Sequence, residues 1–153
     1  MSDPAFPPPG WQCGRDDGYV ISADRERLDF DFIHSSLAAS YWSPGISRRA
    51  VETAAAHAIP FGLYAPDGRQ VGYCRVITDH VSLGYLADVW IEPAVRGRGL
   101  GKFLVGTVTC LPQWQNLRRW LLFTADAHDL YRQFGFSALA EPGRVMARLG
   151  EHG

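Results

Sequence analysis

The sequence predicts an α/β domain built on a mixed sheet with helices on both sides, and three observations predict it. Residues 70–78 alternate, with Val71, Tyr73, Arg75 and Ile77 set against Gly72, Cys74, Val76 and Thr78, which is the period of a strand. Leu28 with Phe32, and Ile33 with Leu37, stand four apart and mark the apolar stripe of a helix. The run from Gly84 to Ile91 is nearly all apolar, its one charge being Asp88, and it leads into the glycine-rich start of another helix.

Taken in order, residues 1–17 are rich in Pro, Gly and Asp, and Pro7-Pro8-Pro9 favours polyproline II, so a flexible arm is expected there. Trp11 is a candidate anchor of the arm to the body or to a second subunit of a homodimer, with a loosely attached tail as the alternative. Residues 18–153 then form one domain. Tyr19 to Ser22 reads as a first strand, and Asp24 as the cap of a helix. That helix breaks at Tyr41-Trp42-Ser43-Pro44-Gly45, and Ser47 caps a second one with Val51, Ala54, Ala55 and Ala58 on its buried side. Pro60–Ala65 and Gln70–Thr78 form a hairpin around Pro66-Asp67-Gly68. After the helix over 99–111, Pro112 forces an exit, and Arg119–Thr124 supplies a fifth strand. Asp126 is positioned to cap the next helix, which ends at Gly135. Ser137–Ala140 and Arg144–Leu149 suit a closing hairpin around Glu141-Pro142-Gly143.

Composition narrows the function. A chain of 153 residues buries about 70% of its unfolded surface, and 46% hydrophobic with 20% charged residues is ordinary for a globular protein. A net charge of -1 gives no reason to expect nucleic acid or an anionic membrane as partner. No apolar run reaches the roughly 20 residues of a membrane span. Cys13, Cys74 and Cys110 are odd in number and widely spaced, so neither a disulfide framework nor a metal site is expected, and a cytoplasmic setting is.

The chemistry concentrates in Arg96-Gly97-Arg98-Gly99-Leu100-Gly101-Lys102. A strand that points at a glycine-rich helix start presents free backbone N–H groups and the positive end of the helix dipole to one spot, a site for phosphate. Two phosphate motifs are excluded by spacing. A P-loop would need glycine where Arg96 stands and a hydroxyl where Phe103 follows Lys102. A dinucleotide fingerprint would need its third glycine at Lys102 or at Leu104.

What the segment does fit is Arg-x-x-Gly-x-Gly, met by Arg96, Gly99 and Gly101 after Val89-Trp90-Ile91-Glu92-Pro93. It resembles the pyrophosphate loop of the GNAT superfamily, N-acetyltransferases that use acetyl-coenzyme A. The downstream run Leu130-Tyr131-Arg132-Gln133-Phe134-Gly135-Phe136 is similar to a second feature of that family. The resemblance implies a mixed, mostly antiparallel sheet of six to seven strands flanked by about four helices, in the order β-α-α-β-β-β-α-β-α-β-β. It implies acetyl-coenzyme A as co-substrate with no metal, and acetyl transfer to a primary amine of a small molecule or protein in a ternary complex. The competing class is a non-catalytic acyl-coenzyme A-binding sensor or regulatory module.

Residue by residue, the resemblance places Val89, Trp90 and Ile91 along the pantetheine arm, where the central strand and its neighbour splay apart. Residues Arg96, Gly97, Arg98, Gly99, Leu100, Gly101 and Lys102 would hold the pyrophosphate. Tyr131 matches the tyrosine that protonates the departing thiolate. Tyr41 and Trp42 would line the acceptor pocket, with packing at the rim of the core as the alternative. The base is less determined. Asp88 is the nearest carboxylate, with a structural hydrogen-bonding role or proton removal through water as alternatives, and His57, His80 and His128 read as surface groups. Asp126 stands near the place where the family carries asparagine.

Overall fold

The computed structural model describes residues 6–151. Six strands form one sheet in sequence order: β1 Gln12–Gly14, β2 Val20–Ser22, β3 Ile59–Tyr64, β4 Gln70–Thr78, β5 Gly84–Ile91 and β6 Trp120–Leu121. All neighbours pair antiparallel except β5 and β6, which run parallel. The α-helices are α1 Phe30–Ala38, α2 Arg48–Ala56, α3 Leu100–Thr109 and α4 His128–Arg132. The expected fold class is what forms, a mostly antiparallel mixed sheet with four helices among the described residues.

Two apolar layers hold the helices on opposite faces. Tyr73 packs with Ile33, Leu37 and Val51 of α1 and α2, whereas Cys74 and Val76 join Leu104, Val105 and Val108 of α3. Adjacent residues of β4 therefore serve different layers, as a pleated strand requires. Trp114 is fully buried beneath α3, its indole N–H donating to the Val108 carbonyl at 2.8 Å.

Several boundaries differ from the sequence reading. Asp24 caps only a 3-10 turn over Arg25–Arg27, and α1 starts one turn later on Asp29, whose carboxylate accepts from the Asp31 and Phe32 amides. Gln12–Gly14, read as part of the arm, adds the edge strand β1, while the rings of Phe6 and Trp11 pack edge-on against Trp114 and Phe61. The strand expected over Arg119–Thr124 is paired only at Trp120 and Leu121. No closing hairpin forms among the described residues. Pro142–Arg144 makes a 3-10 turn, and the flanking segments lie exposed without a strand to pair with.

Candidate acetyl-transfer cleft

The site begins with a defect in the sheet. Tyr73 pairs with Trp90 and Arg75 with Ala87, so the two residues Asp88 and Val89 oppose the single residue Cys74. This is a β-bulge, which bends β5 and leaves backbone outside the ladder. Asp88 sits in the left-handed region at φ 58°, which Asp tolerates better than most side chains. The bulge breaks the alternation, and residues 85–89 all contribute to one cavity.

On the other side, β5 meets β6 only at Gly84–Trp120 and Tyr85–Leu121. From Leu86 onward no strand covers that edge, and a cavity of about 460 Å³ opens in the gap. Tyr41, Trp42, Asp88, Val89 and Tyr131 all line it, so five of the expected residues converge from three separate stretches of chain.

Two hydrogen bonds bind the α1–α2 loop across the gap. The Trp42 indole donates to Asp88 Oδ1 at 3.1 Å, and the Ala125 amide donates to the Tyr41 hydroxyl at 2.9 Å. Asp88 Oδ2 accepts from Arg75 Nε at 2.6 Å, with both side chains largely shielded from water. Both oxygens of Asp88 are thus engaged. Tyr131 is buried, and that burial pushes its phenol up to about 12. Burial also raises the Tyr85 phenol, and it raises the Cys74 thiol well beyond the reactive range, which makes Cys74 an inert core group.

The expected phosphate loop lies past the end of β5. Gly97 and Gly99 have φ of 82° and 72°, and Gly99 is the N-cap of α3 without any side-chain cap. The amides of Gly97 through Lys102 donate to no acceptor among the described residues. A Cβ at Gly97 would meet nothing within 4 Å, so the loop opens outward. Arg96 donates to the Ile91 carbonyl at 2.9 Å and lies 5.0 Å from the Trp90 ring centre, and Trp90 in turn lies 6.2 Å from Trp42. A continuous wall therefore connects the loop to the cavity.

This geometry coincides with what comparison with known proteins finds. Residues 60–138 match the family model for the acetyltransferase (GNAT) domain. A Gibberella zeae protein named “putative acetyltransferase” is 31% identical over 144 residues, covering 81% of this chain and 80% of its own. The chain belongs to the GNAT acetyltransferase family. The crystal structure of a Xanthomonas campestris protein, a “putative acetyltransferase belonging to the GNAT family”, superposes with a TM-score of 0.83. It is 38% identical, over 88% of this chain and 94% of that one. Glucosamine-6-phosphate N-acetyltransferase of Arabidopsis thaliana shares the fold, with a TM-score of 0.58 at 16% identity over 87% of this chain and 98% of its own.

Within this GNAT chain, sequence reasoning missed Arg75 beside the cavity and Arg15 beside the loop, and gave Asp126 a capping role that it does not have. Arg75 is a charge in an otherwise apolar stretch of β4 (Val71–Ile77), a signal that a buried partner must exist. Asp126 does not cap α4, which starts on Ala127 without any side-chain cap, and Asp126 lines the cavity. Arg15 lies over Phe103 and Tyr19, 3.6 Å from where a Cβ on Gly99 would sit, although nothing near it in sequence marks it. His57, His80 and His128 are exposed and stand outside the cavity.

Proposed function

We propose that this GNAT chain transfers the acetyl group of acetyl-coenzyme A to a primary amine by direct attack in a ternary complex. The observation that carries the reading is the row of unpaired amides from Gly97 to Lys102, set at the end of a strand edge that no neighbour covers. Charge-assisted hydrogen bonds contribute about 1.5–3 kcal/mol each. Three or four of them support micromolar binding after the costs of association. Arg96, Arg98 and Lys102 add positive charge beside those amides. The open edge of β5 at Val89, Trp90 and Ile91 suits an extended arm that pairs with backbone.

Acetyl-coenzyme A supplies the thioester carbonyl and, on transfer, a thiolate that takes up a proton. Tyr131 is the donor in this reading. Its hydroxyl accepts or donates no hydrogen bond among the described residues, and a phenol held near 12 stays protonated at neutral pH. Asp88 would have to release Arg75 or Trp42 before accepting a proton. We therefore give Asp88 a positioning role and let the incoming ammonium lose its proton through water at the cavity mouth. The free cysteines suit the reducing cytoplasm expected for the reaction.

Calorimetry with acetyl-coenzyme A, followed by thiol release across a panel of amines, tests this. Micromolar binding and amine-dependent release are expected. Absence of heat overturns the reading; binding without release by any amine turns it into the sensor reading. Tyr131→Phe is expected to lower kcat by about 100-fold with little change in KM for acetyl-coenzyme A. Unchanged turnover removes Tyr131 as the acid.

A further inference from the structure

We infer that the acceptor is a monocationic amine on an uncharged apolar body, and that Asp126 binds its ammonium group. The inference rests on the acetyl-transfer reading and assigns its unnamed substrate class. It starts from the charges in the cavity. Among the described residues that line it, Arg75 is the sole cation, and Asp88 already holds it at 2.6 Å. That pair cancels. Asp126 has no hydrogen bond and no ion pair among the described residues, which leaves the cavity with one uncompensated negative charge.

The freedom of Asp126 has a local cause. Helix α4 starts on Ala127 with no side-chain cap, so Asp126 caps nothing; the Ala127 amide donates to the Thr124 hydroxyl and the Ala125 amide to the Tyr41 hydroxyl. The carboxylate is exposed to solvent at the rim of the cavity it lines, with no partner of its own among the described residues. Tyr131 lines the same cavity, so an amine held at Asp126 is kept in the space that the acid also borders.

The rest of the lining excludes other acceptors. Tyr41, Trp42, Tyr85, Phe123 and Ile46 supply aromatic and aliphatic walls, and aromatic faces attract a cation. A phosphate or carboxylate on the acceptor would need a free cation, and Arg75 is taken. An acidic acceptor would also meet the charge of the exposed Asp126 at a separation well inside the Debye length of about 10 Å, where salt screens it incompletely.

The test compares ligands that differ only in charge. The full chain is titrated by calorimetry with 2-phenylethylamine, 2-phenylethanol and phenylacetate, with and without saturating coenzyme A. The ammonium should bind at least about tenfold more tightly than the alcohol, the difference a single charge interaction of about 1.4 kcal/mol produces. Phenylacetate should bind weakest. Asp126→Asn should abolish the preference for the ammonium and leave the alcohol unchanged, while Asp126→Glu restores part of it. Equal affinities, a preference that survives Asp126→Asn, or no binding of any of the three aryl ligands overturns the inference. So does faster thiol release with a phosphorylated amino sugar than with 2-phenylethylamine. Failure of coenzyme A itself to bind strikes the acetyl-transfer reading instead, because the aryl ligands are also measured without it.

Discussion

Asp88 combines three demands in one residue. Its backbone occupies the left-handed region at the bulge, Oδ1 anchors Trp42, and Oδ2 neutralises Arg75. Left-handed backbone costs an ordinary L-residue about 1–2 kcal/mol, and Asp or Asn less because the short polar side chain can bond locally. Removing one partner of a shielded ion pair leaves the other charge without compensation. Asp88→Asn keeps the backbone tolerance and one hydrogen-bonding oxygen but strands Arg75, so a loss of about 1–3 kcal/mol is expected. Asp88→Ala adds the left-handed penalty and frees the α1–α2 loop, and should cost about 1 kcal/mol more. Urea denaturation of the two variants measures both steps. If Asp88→Ala is no worse than Asp88→Asn, the bulge does not depend on this side chain. The sequence made Asp88 visible as the lone charge of an apolar strand, yet its partners were not visible, because Arg75 and Trp42 lie 13 and 46 residues away.

Among the elements, α3 connects the loop to the core, and its glycines do different jobs. Gly99 needs its positive φ to begin the helix. Gly106 lies inside the helix, where replacing glycine with alanine ordinarily stabilises by about 0.5–1 kcal/mol. Here a Cβ would stand 2.7 Å from Phe134 Cε1, the ring just past α4. Phe134 is held in place by the turn that follows α4, where the Gly135 and Phe136 amides return to the Arg132 and Tyr131 carbonyls. The turn fixes the backbone of Phe134 beside Tyr131, so the half-buried ring has to give by turning about its own side-chain bonds against its neighbours. Gly106→Ala is expected to destabilise by about 1–3 kcal/mol and to lower kcat together with it. Thermal unfolding and turnover on the same variant check the sign, which the helix propensity alone would reverse. Such a contact is not legible in sequence, whereas the helix itself was, from its glycine-rich start and the apolar run after it. The closing hairpin failed for a related reason. Its residues have strand-forming character, but β6 pairs over only two residues before diverging, so no edge of sufficient length exists to receive them.

At the scale of the molecule, a sheet sandwiched by helices buries tyrosines on both sides, and their hydroxyls are the weak points of the packing. Tyr41, Trp42, Asp88 and Tyr131 could be picked out because each belongs to a local pattern, while Asp126 stands without a partner because the folded loop starts α4 on Ala127 with no side-chain cap. Tyr64 and Tyr73 belong to neither group. Their hydroxyls are buried without any hydrogen-bond partner, and nothing in the alternation of β3 or β4 announces it. Burial pushes the phenols of Tyr64 and Tyr131 up to about 12 and that of Tyr73 further still. The sign follows from linkage. A group with a raised folded-state pKa binds its proton more tightly in the native state, so its stabilisation is complete below the unfolded value near 10. As pH rises from 10 towards 12 and beyond, the unfolded chain ionises first and stability falls. The urea midpoint should therefore be insensitive to these tyrosines up to pH 10 and decline steeply above it. Tyr73→Phe separates this effect from general alkaline damage. Deleting the hydroxyl removes a buried polar atom that has no partner, so the variant should be more stable than the parent by about 1 kcal/mol at pH 8. Its advantage should widen above pH 10, because one buried proton no longer has to be retained. A variant less stable at pH 8, or an advantage that stays constant to pH 11.5, would mean that the Tyr73 hydroxyl is satisfied in solution and that the layer between α1, α2 and β4 is wetter than its burial indicates.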